Sequence, residues 1–181
     1  MQRFITLAFN TLLLLSLNAA TPETHYTVIV SLDGFRWDYP DMYKTPNLDR
    51  MAADGVKAVM LPSYPASTFP NHYTLATGLV PDHHGIINNT FWDVKNRRQY
   101  SMGDSATRNN PEYYLGEPIW ITAQKQGVKT GNMYWVGSDI AIKKSHPTYY
   151  RPWNAKPFLT FEQRIDTVLT WLQKPEPERP R

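Results

Sequence analysis

Cysteine is absent from all 181 residues, so nothing in this chain is held by a disulfide. An exported protein built this way fits a bacterial periplasm. Long apolar runs are scarce too. Ile5 to Leu17 comes nearest, and it falls short of the roughly 20 residues a membrane helix needs. No later segment resembles a membrane span. A run of basic residues is also missing: the net charge of +3 comes from scattered Lys and Arg, which gives a nucleic-acid-binding surface no support. There is no Walker-type loop, no HExxH and no GxSxG, which removes the common nucleotide-cradle, zincin and serine-hydrolase readings.

What is present begins with an export signal. Arg3 supplies a positive start, Ile5 to Leu17 an apolar middle, and Ala19-Ala20 a small-residue end. Residues 1–20 therefore read as a signal peptide, with an uncleaved membrane anchor as the alternative, and the mature protein as secreted or periplasmic. The remaining residues suffice for one domain with its own core. Aromatic residues make up 13% of the chain, side chains that fill cores and also stack on planar ligands.

Tyr26 to Leu32 is a β-branched run ending at Asp33-Gly34, the pattern of a buried strand and turn. Thr45-Pro46 opens a helix that Gly55 closes, and Val56 to Leu61 reads as the next strand. A Pro/Ser loop over 62–66 leads to a helix from Phe69 to Thr77, ended by Gly78. This alternation predicts a parallel α/β sheet. Thr90 to Met102 predicts a hairpin turning at Lys95-Asn96-Arg97. A helix follows over 118–126, then a strand over 128–134. Thr160 to Gln163 is a capping box opening a helix to Leu172. The last eight residues, KPEPERPR, cannot continue it and read as a linker or as the approach to a further segment. This divides the chain into 1–20, a 21–173 catalytic-domain portion and a 174–181 end.

Few residues carry chemistry. Asp33, at the carboxyl end of the first strand, lies where open α/β sheets bind ligands, and its carboxylate suits Zn²⁺ or Mg²⁺; a plain Asp-Gly turn is the other reading. Thr68 starts a helix, as an N-cap or at a place favourable to an anion and a developing alkoxide. Asn89 is either a turn residue or a donor to a phosphate oxygen. His83 and His84 adjoin and read as structural. His72, four residues past Thr68, either faces the site or packs its helix.

VIVSLDGFRWDY, TPNLDRMAADGV, YPASTFPNHYTLATGLVPDHHGIINN and WVGSD resemble, in order, the nucleotide pyrophosphatase/phosphodiesterases of the alkaline phosphatase superfamily. The resemblance runs from about Tyr26 to Leu172. It implies an alkaline-phosphatase-like α/β sandwich around a mostly parallel sheet, of which this chain carries the N-terminal portion. By the same resemblance Asp33 is a zinc ligand, Thr68 the nucleophile that also touches zinc, and Asn89 a phosphoryl-oxygen donor. Phe69 and Trp135 line the nucleotide base, Asp139 is a pocket acid, and Trp153 falls where many members have a stacking tyrosine.

Two zinc ions are implied, with a covalent nucleotidyl-threonine and water releasing the monophosphate. Further ligands are expected in PDxxGH- and SDHG-like segments, which these residues do not contain. The implied substrate is a nucleotide or another small phosphodiester. Two other readings remain: a secreted, non-catalytic remnant that at most binds nucleotides, and a phosphomonoesterase or choline-phosphodiester hydrolase of the same superfamily.

Overall fold

The computed structural model describes residues 25–181, so the signal-peptide reading of 1–20 lies outside it. The helices are α1 (Tyr39–Met42), α2 (Pro46–Asp54), α3 (Thr68–Thr77), α4 (Pro81–His84), α5 (Ser105–Arg108), α6 (Ile119–Lys125) and α7 (Phe161–Leu172). Strands β1 (Thr90–Asp93) and β2 (Arg98–Ser101) form an antiparallel hairpin. Strands β3 (Gly131–Met133) and β4 (Tyr149–Arg151) pair in parallel, Asn132 opposite Tyr150. The architecture is mixed α/β. No helix among the described residues is long and apolar enough to cross a membrane.

Local chemistry sets the ends of these elements. Gly78 closes α3 in the left-handed region at φ 69°, where its N–H donates to Thr74 O at 2.8 Å. The capping box at α7 forms as the sequence predicts: Gln163 N–H donates to Thr160 Oγ1 at 3.2 Å, and Thr160 N–H to Gln163 Oε1 at 2.9 Å. In the hairpin, Asp93 Oδ1 accepts from the N–H groups of Lys95 and Asn96, which tightens the expected turn.

Two predicted strands do not form. Segments 26–32 and 56–61 pair with no other described strand, and Val30 and Leu61 are 75% and 88% exposed. A β-branched run becomes a strand only when a neighbour supplies its ladder hydrogen bonds, and no described strand is paired with either run. The strand expected over 128–134 shortens to β3.

The Pro-rich end packs against the parallel strand pair. It makes a 3₁₀ turn at Glu176–Glu178, and Arg181 N–H then donates to Lys129 O at 3.0 Å. Tyr149 Oη donates to Glu178 O, and Pro180 is buried near Gly131. Proline stops a helix but leaves the chain free to turn and pack.

The core combines aromatic and aliphatic side chains. Phe69, Tyr73 and Ala76 of α3 meet Tyr100, Tyr113, Tyr114, Trp120 and Ile121, with Val136, Ile140 and Ile142 closing the far side. Buried phenols need partners. Tyr73 Oη donates to Leu115 O at 3.0 Å, and the Tyr100 and Tyr114 hydroxyls bond each other at 3.1 Å. Burial pushes the Tyr100 phenol up to about 12, and Tyr73 and Tyr114 shift the same way.

His84 has a structural role, as the sequence predicts. It is fully buried while His83 is exposed, so the two share no site. Ile86 N–H donates to His84 Nδ1 at 3.2 Å, which puts the ring proton on Nε2, facing Thr74 Oγ1 at 3.0 Å. Burial lowers the pKa of this imidazole. The unfolded chain therefore takes up the proton first as pH falls, and stability drops below about pH 6.5 toward the depressed folded value. The urea midpoint is expected to fall through that window. In His84→Gln the slope contributed by this group disappears, although the variant is less stable throughout.

Candidate active site

The site gathers at the first turn of α3. Ser67, the residue before the helix, is extended and makes no side-chain cap. Asn89 supplies the cap instead: its Oδ1 accepts from Phe69 N–H at 2.9 Å. The carboxamide nitrogen, on the other side of the same planar group, is the end left to donate. Thr68 Oγ1 donates to Asp33 Oδ2 at 3.2 Å. Asp33 sits on an exposed turn that Gly34 makes possible at φ 69°. Three residues predicted from sequence, Asp33, Thr68 and Asn89, thus converge on one helix end.

The loop before α3 is held by Asn71. Its Oδ1 accepts from Ser63 N–H at 2.7 Å, and its Nδ2 donates to Pro65 O at 2.8 Å and Ser67 O at 3.1 Å. Sequence reasoning missed this clamp. The available signal was spacing, since Asn71 lies three residues past Thr68, one helical turn on. Asn71→Ala leaves these loop groups unpaired and is expected to destabilise the chain by about 1–3 kcal/mol, read as a lowered urea midpoint.

The substrate-side residues are placed unequally. Trp135 is half-buried; its Nε1 donates to His72 O at 3.1 Å, and its ring meets the His72 imidazole edge-on at 5.6 Å. Phe69 is 1% exposed, so its ring belongs to the core rather than presenting an open face. Trp153, half-buried, lies edge-on to it at 5.0 Å.

Burial raises the Asp139 carboxyl above its ordinary range, opposed by its own and the Trp153 backbone N–H and by the Arg108 charge. Arg108, also missed from sequence, is 3% exposed and donates through Nη1 to Met102 O at 2.8 Å.

Among the described residues, no group of three His, Cys, Asp or Glu side chains could hold a metal ion. Asp33 Oδ2 and Thr68 Oγ1 are two convergent oxygen donors, whereas a zinc site uses four ligands. The described residues therefore fit one side of a single site and not the two-zinc set.

Residues 27–181 match the family model of type I phosphodiesterase / nucleotide pyrophosphatase. The chain is 43% identical over 156 residues to bovine (Bos taurus) ectonucleotide pyrophosphatase/phosphodiesterase family member 3, covering 84% of this chain and 18% of that protein. It is 44% identical over 161 residues to human (Homo sapiens) family member 1, covering 87% and 17%. Among solved structures, an inactive variant of murine ectonucleotide pyrophosphatase / phosphodiesterase 5 in complex with AMP superposes with a TM-score of 0.74 at 33% identity. That match covers 83% of this chain and 39% of the murine one. The chain thus spans less than a fifth of these curated relatives. The family match over nearly all the described residues and the shared α/β fold agree, and the chain belongs to the type I phosphodiesterase / nucleotide pyrophosphatase family.

Proposed function

We propose that this chain carries the nucleophile end of a secreted or periplasmic hydrolase that cleaves phosphodiester or pyrophosphate bonds in nucleotides, with Thr68 as nucleophile. One observation carries the reading. The Thr68 hydroxyl, at the start of α3, donates to Asp33 Oδ2 at 3.2 Å while Asn89 folds back over the same helix end. A helix start favours anions, so the phosphoryl group is drawn to the hydroxyl that attacks it.

The Thr68 hydroxyl loses its proton to solvent as its oxygen attacks phosphorus, breaking the bond to the leaving alcohol or phosphate and forming a nucleotidyl-threonine; water then attacks the same phosphorus, breaks the bond to Thr68, releases the nucleoside monophosphate and returns a proton to the hydroxyl. Charge growing on the non-bridging oxygens meets the helix N-terminus and Asn89 Nδ2. Asp33 and Thr68 are the residues of this chain that would hold a zinc ion, with further donors coming from outside the described residues. Zinc lowers the pKa of bound water from 15.7 to about 7, and a bound threonine hydroxyl is acidified in the same direction. Trp135 and Trp153 offer aromatic surface to a base, and Asp139 an acidic partner for its donors. The names of the relatives, and AMP in a solved one, support a nucleotide as substrate.

The test is to give the protein Zn²⁺ and a chromogenic nucleotide phosphodiester, then quench in acid and map the adduct by mass spectrometry. Chelator-sensitive release with a nucleotidyl group on the Thr68 peptide is expected. Release with the adduct elsewhere, or no release at all, overturns the assignment.

A further inference from the structure

Asp33 lies on a segment that shares no ladder with any described strand, yet its carboxylate meets Thr68. Two side-chain hydrogen bonds join this stretch to α3. One is the Thr68–Asp33 contact itself. The other is Ser31 Oγ with His72 Nε2 at 2.9 Å. The His72 ring is fixed at its other end by Thr68 O, 2.8 Å from Nδ1. A carbonyl only accepts, so Nδ1 carries the proton and donates. That leaves Nε2 bare to accept from the Ser31 hydroxyl. The ring thus spans from the backbone of the candidate nucleophile to a residue two before the candidate metal ligand.

We infer that His72 is a positioning residue which, through Ser31, holds the Asp33 carboxylate against the Thr68 hydroxyl. The inference rests on the proposed roles of Asp33 and Thr68 and adds the device that sets their separation. A placement error of about 1 Å at a reacting centre can cost on the order of 100-fold in rate, so a clip of this kind has chemical consequence. Its side chain acts on the Asp33 segment and also meets the Trp135 ring edge-on, but the Trp135 hydrogen bond goes to the His72 carbonyl, which every substitution leaves in place, and Ser31→Ala leaves both Trp135 contacts intact. The clip therefore affects attack more than nucleotide binding.

Two measurements decide it. In the first, kcat of Ser31→Ala and of His72→Ala is expected to fall about 10–100-fold, with KM within about twofold of wild type. The double variant is expected to be no worse than the more severe single one, because both remove the same link. His72→Asn keeps a donor for Thr68 O but cannot reach Ser31, and is expected to behave as His72→Ala. Recovery of kcat in His72→Asn, additive losses, or a loss confined to KM overturns the inference.

The second measurement needs no turnover and uses the absence of cysteine. Asp33→Cys with Thr68→Cys gives one thiol pair, whose disulfide forms at a rate set by how often the two positions meet. Adding Ser31→Ala or His72→Ala is expected to slow that rate on the order of tenfold, in line with a supporting contact. An unchanged rate overturns the inference. If the wild-type chain hydrolyses nothing, the proposed function fails, and the crosslinking rate still decides the clip.

Discussion

Replacing Thr68 with alanine is expected to lower nucleotide phosphodiester hydrolysis by about 10⁴-fold or more, the scale seen when an enzyme loses its nucleophile. The fold is expected to survive. Thr68 is half-buried at the first position of α3, and its hydroxyl bonds to the exposed Asp33, a contact worth about 0.5–1.5 kcal/mol. The two effects differ so much in size that they separate cleanly: circular dichroism and the urea midpoint barely move while the rate collapses. Thr68→Ser, which keeps the oxygen, is expected to retain part of the activity. Undiminished hydrolysis in Thr68→Ala removes the nucleophile from this helix.

Tyr73→Ala is expected to produce the largest stability change, about 3–5 kcal/mol, the range for deleting a large buried aromatic side chain. Tyr73 is fully buried at the centre of the core. Its ring meets His84 edge-on at 5.0 Å and Tyr114 at 5.3 Å, and lies within 3.3 Å of where a Cβ on Gly137 would sit. Removing the ring forfeits all of these contacts at once.

A domain has only about 5–15 kcal/mol in reserve, so the loss takes a large share and loosens α3 with it. Urea unfolding followed by circular dichroism measures the change. Tyr73→Phe, which leaves Leu115 O unpaired, is expected to cost about 1–3 kcal/mol. A loss near zero in Tyr73→Ala would mean that α3 is anchored elsewhere.

Where the sequence was readable, the information was local. Thr160 and Gln163 bond within one turn, Gly78 takes up positive φ beside the helix it ends, and Asp93 closes its own hairpin. The parallel strands could not be placed in this way. Tyr26 to Leu32 and Val56 to Leu61 have strand chemistry, but a ladder depends on a neighbour that composition does not reveal. The site did not follow that rule, because its residues meet across long stretches of sequence. Asp33, Thr68 and Asn89 were legible through the family resemblance, and they do converge. Asn71 and Arg108 were not: their carbonyl partners, Pro65 O and Met102 O, are near in sequence, but only the folded turn aims them at the side chain.

The candidate site has one wall in the packed core and the other on an unpaired segment, and this has a thermodynamic meaning. Opening of residues 26–32 carries Asp33 away, whereas Thr68 stays with α3. A ligand that needs both binds only the closed arrangement. By mass action it must then stabilise that arrangement by RT ln(1 + [L]/Kd). Occupancy of the site and order of the segment are one equilibrium read from two ends.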